Sequence, residues 1–179
     1  VIDFEKNNKQ VYTKDIQDMV AQFKPMLLNY AVGLGEQKRY ADAASVLNSI
    51  YLLDKKDAEK LYYAASYALN AKDYDKALEY YGELKKMNFS GEKTLYYAKN
   101  KANDSEDYFD SKASRDNVVK LGSHMSPRDE KEPSKRGEIY KNMALILAEQ
   151  GKIDEAKKQM AEARLANPDD QSLATAEAN

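Results

Sequence analysis

Few residues in this chain have side chains that support catalysis. The 179 residues include no cysteine and one histidine, His124. A cysteine nucleophile, a disulfide, a thiolate zinc site and a site with two histidine ligands are therefore excluded for this chain. His124 follows Ser123 in a stretch that also holds Pro127 and Pro133, which indicates a loop. Because a catalytic base needs a rigid shell around it, we expect His124 to be an exposed loop residue, and we predict no catalytic residue and no enzyme activity.

A cluster of acidic residues is the second group that could do chemistry. Asp104, Glu106, Asp107 and Asp110 offer the oxygen ligands that calcium prefers. A calcium loop starting at Asp104 would need glycine at its sixth position and glutamate at its twelfth, and both are missing. We therefore expect these residues to form a polar turn and to cap the helix after Asp110, and we predict no metal site and no cofactor.

The overall charge and hydropathy exclude two classes of partner. Lysine and arginine number 28 against 30 aspartate and glutamate, giving a net charge of −2, and no stretch is basic enough for nucleic acid. The mean hydropathy is −0.80, and no run approaches the roughly 18 apolar residues of a membrane span. We expect neither nucleic-acid binding nor membrane insertion.

A recurring pattern of turns, large residues and alanines organises the chain. Eleven of the 14 tyrosines lie between Tyr40 and Tyr108. Three stretches each contain a helical run, a polar turn, a large residue (Tyr40, Tyr74 or Ile153) and an alanine three positions later. Tyr40 and Tyr74 are 34 residues apart, and Ile153 follows after two such periods plus 11 residues. A plain helical bundle would explain the spacing within helices, but the recurrence favours helix pairs that stack on their neighbours.

This pattern resembles the tetratricopeptide repeat, a helix–turn–helix unit of 34 residues. Small residues at the eighth and twentieth positions of a unit let its two helices approach closely, and Gly151 fits a helix C-terminus. The resemblance implies an all-α fold, an α-α superhelix built as a solenoid of antiparallel helix pairs. We expect one continuous domain with the end of a truncated repeat at 1–23, units at 24–57 and 58–91, a degenerate unit at 92–121, an inserted loop at 122–136, a unit at 137–170 and the start of a further helix at 171–179.

In this family the first helix of each unit lines a concave groove that binds peptides. The groove positions, carried over by the resemblance, give the candidate site residues Tyr62, Ser66, Leu69, Asn70, Tyr96, Asn100, Asn103, Lys141, Leu145 and Glu149. Tyr62 and Tyr96 are one period apart, so we expect an aromatic track flanked by asparagines that hydrogen-bond an extended peptide. The alternative is that these tyrosines pack between the repeats.

These observations predict a non-enzymatic interaction scaffold whose partner is a protein or peptide segment. The sequence of residues 120–129 and 138–146 resembles that of exported multi-repeat tetratricopeptide proteins of Bacteroidetes-type bacteria. This resemblance favours the periplasm or cell envelope over the cytoplasm as the location of the chain. Two alternatives stay open. The chain could associate with a second copy as a homo-oligomer, or it could be a regulatory region of a larger protein whose activity lies outside this chain.

Overall fold

The computed structural model describes residues 6–7, 11–166 and 168. Within them the chain is mostly helical, with seven helices and one three-stranded sheet. The elements in order are α1 (Thr13–Glu36), α2 (Tyr40–Leu53), α3 (Ala58–Asn70), α4 (Tyr74–Lys86), β1 (Lys93–Asn100), β2 (Glu106–Phe109), α5 (Lys112–Lys120), β3 (His124–Glu132), α6 (Arg136–Glu149) and α7 (Ile153–Ala166). The prediction of a mostly helical chain is confirmed, and the sheet is a departure from the all-α expectation.

Three helix pairs are joined by the same three-residue turn. The middle residues of these turns, Lys38, Lys72 and Gly151, have φ values of 59°, 59° and 74°. In each turn the middle N–H donates to the carbonyl three residues back, and the next N–H donates to the carbonyl five residues back. These two bonds satisfy carbonyls that a helix end otherwise leaves unpaired. The predicted glycine cap at Gly151 is confirmed, and lysines adopt the same left-handed conformation in the other two turns.

Residues 92–133, which we call the insert, contain β1, β2, α5 and β3. The helices outside the insert form a row in which each packs on the next. The pairs α1–α2, α2–α3, α3–α4 and α6–α7 are in contact, and α4 packs directly on α6 although the sheet lies between them in the chain. The alanines at the eighth and twentieth positions of the three predicted units are all buried, as the pattern predicts: Ala31, Ala65, Ala144, Ala43, Ala77 and Ala156. Their small side chains allow close approach, while Tyr51, Leu61, Tyr81 and Leu84 fill the core between helices.

The stretch expected to form a degenerate helical unit at 92–121 and a loop at 122–136 has a different structure. It forms β1, β2, α5 and β3, with strand order β2-β1-β3, both pairs antiparallel, and α5 packed on the sheet. Pro127 is accommodated because β3 is an edge strand whose register with β1 shifts beside it, and a proline cannot supply the N–H that a central strand needs. The chain leaves the row of helices and returns to it at adjacent points, because the Lys135 N–H donates to the Ser90 carbonyl at 2.7 Å.

Helix α1 is longer than the sequence predicts. A helix ending near residue 23 and a new one beginning near residue 24 were expected, but one 24-residue helix runs through Pro25. An interior proline removes its own N–H bond and crowds the carbonyl four residues back. The helix continues nevertheless, because its C-terminal half is buried or partly buried in the core through Leu27, Leu28, Ala31 and Leu34. The expected segment at 171–179 lies outside the described residues.

Candidate functional site

Tyr62 on α3 interacts with two residues at the N-terminal end of α6. The Glu138 carboxylate acts on its hydroxyl. The Lys135 Nζ lies 5.2 Å from the centroid of its ring. Burial first, and then the interaction with Glu138, raises the pKa of Tyr62, so the phenol stays neutral. Side chains therefore link the first helices of two different pairs, although the whole insert separates these helices in sequence.

A line of hydrogen bonds continues this contact beneath the surface. The Asn142 Nδ2 on α6 donates to the Tyr81 hydroxyl on α4 at 3.0 Å, and that hydroxyl lies 3.4 Å from the Ser66 Oγ on α3. Ser66 in turn donates to the Tyr62 carbonyl at 3.1 Å. The hydroxyls of Tyr81 and Ser66 thus each have one group that donates a hydrogen bond to them and one that accepts a hydrogen bond from them. The polar line fixes α3, α4 and α6 relative to one another.

The predicted groove residues on α3 and α6 differ in accessibility. Asn70, Leu145 and Glu149 are exposed, and Leu145 keeps 48% of its surface accessible. Ser66, Leu69 and Lys141 are half-buried, whereas Tyr62 is only 6% exposed. Tyr62 therefore belongs to the packing between helices. We give the name α3–α6 face to the four remaining candidates Asn70, Lys141, Leu145 and Glu149, which are exposed or half-buried.

The three candidates from the expected degenerate unit do not join this face, and the predicted aromatic track is wrong. Tyr96 lies on strand β1 opposite Phe109, with the Arg115 guanidinium carbon 5.7 Å from its ring centroid. Asn100 donates to the Asp107 carboxylate at 3.0 Å, and Asn103 accepts from Ser105 in the turn after β1. A 34-residue offset aligns two residues only if both are on equivalent helices, and Tyr96 is on a strand.

His124 was expected in an exposed loop, but it is buried at the start of β3 with 9% of its surface accessible. Its Nε2 lies 3.0 Å from the Asp107 carboxylate, and its Nδ1 lies 2.9 Å from the Ser123 hydroxyl. Hydrogen bonds from His124 first, and then from Asn100 and Ser105, lower the pKa of Asp107 to about 2. The prolines of this stretch predict a loop, and no local pattern indicates that His124 pairs with the distant Asp107 carboxylate.

Serine, histidine and aspartate are the groups of a hydrolytic triad, but their arrangement here favours a structural role. The Ser123 Oγ donates to the Val118 carbonyl at 3.1 Å, which holds the hydroxyl against the end of α5. The His124 ring packs edge-on to Phe109, with centroids 5.3 Å apart. A nucleophile must be free to attack and must face donors for the developing oxyanion. The Ser123–His124–Asp107 chain instead ties β2, β3 and the end of α5 together.

The acidic cluster is divided among separate cationic partners. Asp104 pairs with Lys99 at 3.0 Å, and Glu106 accepts two bonds of 2.6 Å from Arg128. The prediction that an acidic residue of this cluster caps the following helix is wrong, because the cap of α5 is Ser111, whose side chain accepts from the Ser114 N–H. In the part of the chain that the structure describes, no three histidine or acidic residues converge on a metal-binding position.

No protein-family model matches the chain, and no curated protein is similar to it in sequence. Among the described residues, none of the helices combines the length and the apolar character that crossing a membrane requires.

Proposed function

We propose that this chain is a non-enzymatic interaction scaffold of the tetratricopeptide type, which binds a peptide or protein segment along its α3–α6 face. The observation that carries the proposal is the continuity of the helix row, because α4 packs on α6 as α2 packs on α3. A solenoid groove requires that the second helix of each pair packs on the first helix of the next pair, and these two contacts support that arrangement. The identical turns at Lys38, Lys72 and Gly151 support the same reading.

The chemistry of the α3–α6 face favours an extended segment with apolar side chains. Leu145 offers exposed apolar surface, and Asn70 offers an amide that both donates to and accepts from a peptide backbone. Lys141 and Glu149 carry opposite charges, so the face does not select a strongly acidic or strongly basic partner. Apolar contact with backbone hydrogen bonds is the recognition mode that such a surface supports.

The test uses exposed residues, because a change at buried Tyr62 would disturb packing. A peptide-display library is selected on the immobilised protein, and the selected peptides are measured by titration against Leu145→Glu and Asn70→Ala. The matched control is Leu52→Glu on α2, which replaces a leucine of similar exposure, 57%, outside the proposed site. We expect at least about a tenfold loss of affinity for Leu145→Glu and no change for Leu52→Glu, since removing one apolar contact costs about 1–2 kcal/mol. Selected peptides that bind Leu145→Glu and Asn70→Ala with the same affinity as wild type would contradict the assignment.

A location in the periplasm or cell envelope remains a prediction of the family resemblance. It is checked by fractionating the native organism's cells and probing each fraction with an antibody against this chain. Signal confined to the cytosol would contradict it.

A further inference from the structure

Helix α1 carries a stripe of exposed apolar side chains beside the residues that contact the core. Met19, Phe23, Met26 and Tyr30 keep 56%, 50%, 65% and 56% of their surface accessible. Their spacing of four, three and four residues places them on one line along the helix, as in the seam between two paired helices. We call these four residues the α1 stripe.

The equivalent face of α3 shows what such a stripe contacts. Residues 34 positions on from Met26, Tyr30 and Gly33 are Lys60, Ala64 and Tyr67. In α3 this face packs on the preceding helix α2: Ala64 is completely buried, and the Tyr67 ring stacks on Tyr40 of α2 with centroids 6.0 Å apart. In α1, Tyr30 is more than half exposed, and a side chain at Gly33 would meet no atom within 4 Å.

We propose that the α1 stripe is a dimer interface, where α1 of a second copy of this chain packs antiparallel on the first. An antiparallel register centred between Phe23 and Met26 pairs Met19 with Tyr30 of the other copy, and Phe23 with Met26. Every layer then joins a methionine sulfur to an aromatic ring, a favourable contact. A parallel pairing would place methionine on methionine and ring on ring. The stripe is therefore complementary to itself in one orientation.

Area and charge agree with a second copy as the occupant. Because a large side chain carries about 200 Å² of surface, the half-exposed stripe offers on the order of 450 Å². Two copies would bury about 900 Å² from the stripes alone, and flanking side chains raise this past the roughly 1,000 Å² of a specific interface. Gln22 and Asn29 border the stripe and are uncharged, so the two-fold arrangement brings no like charges together at its centre.

The oligomeric state of the whole 179-residue chain is the first test. By sedimentation velocity over a concentration series, we expect wild type to reach twice the monomer mass of 20.3 kDa. Phe23→Glu is expected to weaken association by about 30-fold or more, as loss of a central anchor does. The control Val32→Glu changes an exposed residue of the same helix on another side, 48% accessible, and should remain dimeric. Circular dichroism checks that both variants keep their helices.

The register is tested by disulfide trapping, which the absence of native cysteine makes clean. A mixture of Met19→Cys and Tyr30→Cys proteins should form a cross-linked dimer on oxidation, and neither variant alone should do so efficiently. Cross-linking by each variant alone would overturn the antiparallel register. Specific interfaces have dissociation constants in the micromolar range or below. The proposed dimer would therefore be overturned by wild type that stays monomeric at about 100 µM. It would also be overturned by a dimer that Phe23→Glu leaves intact.

Discussion

Deleting residues 92–133 and joining Gly91 to Ser134 should leave the helix row folded. The Lys135 N–H already donates to the Ser90 carbonyl at 2.7 Å, so the joined residues 90, 91, 134 and 135 would form a four-residue turn closed by its usual bond. Gly91 has φ +64°, the conformation that a tight primed turn needs at its second residue. The deletion therefore replaces a folded insert with a turn whose ends are already in place.

The expected cost is small because the deleted residues make few contacts with the helices that remain. The Lys93 ammonium pairs with Glu59 on α3 at 3.1 Å, and both side chains are partly exposed. An ion pair of this kind contributes about 0–1 kcal/mol. Lys135, which lies over Tyr62, is kept. We expect the free energy of unfolding of the helix row to change by no more than about 1 kcal/mol, which corresponds to a shift of a few degrees in Tm.

The assay is thermal and urea unfolding of the shortened chain, followed by circular dichroism. A control deletion of residues 124–132 removes only β3, and with it the Asp129 carboxylate that pairs with buried Arg115 at 2.6 Å. That variant should lose solubility, because it removes the Asp129 carboxylate and the Arg128 carbonyl, two of the three acceptors of the Arg115 guanidinium, and opens a new edge on β1. A shortened chain that melts without cooperativity, or lacks the helical signal of α1–α4, α6 and α7, would refute the reasoning.

Three smaller perturbations test the contacts that define the site and the turns. Tyr81→Phe should cost about 1 kcal/mol of unfolding free energy and less in an Asn142→Ala background, because the two side chains share one hydrogen bond; a double-mutant cycle in urea without coupling would contradict this. Lys72→Gly should raise stability by about 0.5–1 kcal/mol and Gly151→Ala should lower it, because both positions have left-handed φ; calorimetry giving the opposite signs would disagree. Asp107 has its pKa lowered from 3.8 to about 2, so the stability that its hydrogen bonds contribute is present above pH 4 and is lost as the pH falls from 4 to 2. The urea midpoint of wild type should fall over this pH range, and the midpoint of Asp107→Asn should lack this decrease.

The helix pairs were predictable because their signals are local. A turn residue at Lys72 or Gly151 and a buried alanine such as Ala43 or Ala77 are each specified by a few neighbouring residues. Helical contacts at three and four residues repeat the same pattern along each element. The boundary expected between residues 23 and 24 is the exception, because packing of the C-terminal half of α1 outweighs the missing hydrogen bond and the crowding that Pro25 causes within the helix.

The insert was not predictable from the same signals because sheets depend on distant partners. The doublet Tyr96–Tyr97 looks like the helical doublet Tyr62–Tyr63 in sequence, and short apolar runs do not distinguish a strand from a helix. What makes β1 a strand is its pairing with Phe109 on one side and Asp129 on the other. Those partners are 13 and 33 residues from Tyr96, outside any local pattern.

The candidate site shows the same division between local and distant information. Asn70, Lys141 and Leu145 lie on helices that the repeat pattern defines, so their positions follow from it. The burial of Tyr62 does not, because Lys135 and Glu138, which cover it, come from beyond the insert. Lys93 near the start of the insert pairs with Glu59, and Lys135, two residues after its end, lies over Tyr62. The insert therefore begins and ends beside the N-terminal part of α3. A segment bound along the α3–α6 face and extending toward that end would therefore meet the sheet, which makes the insert a boundary of the proposed site rather than a remote appendage.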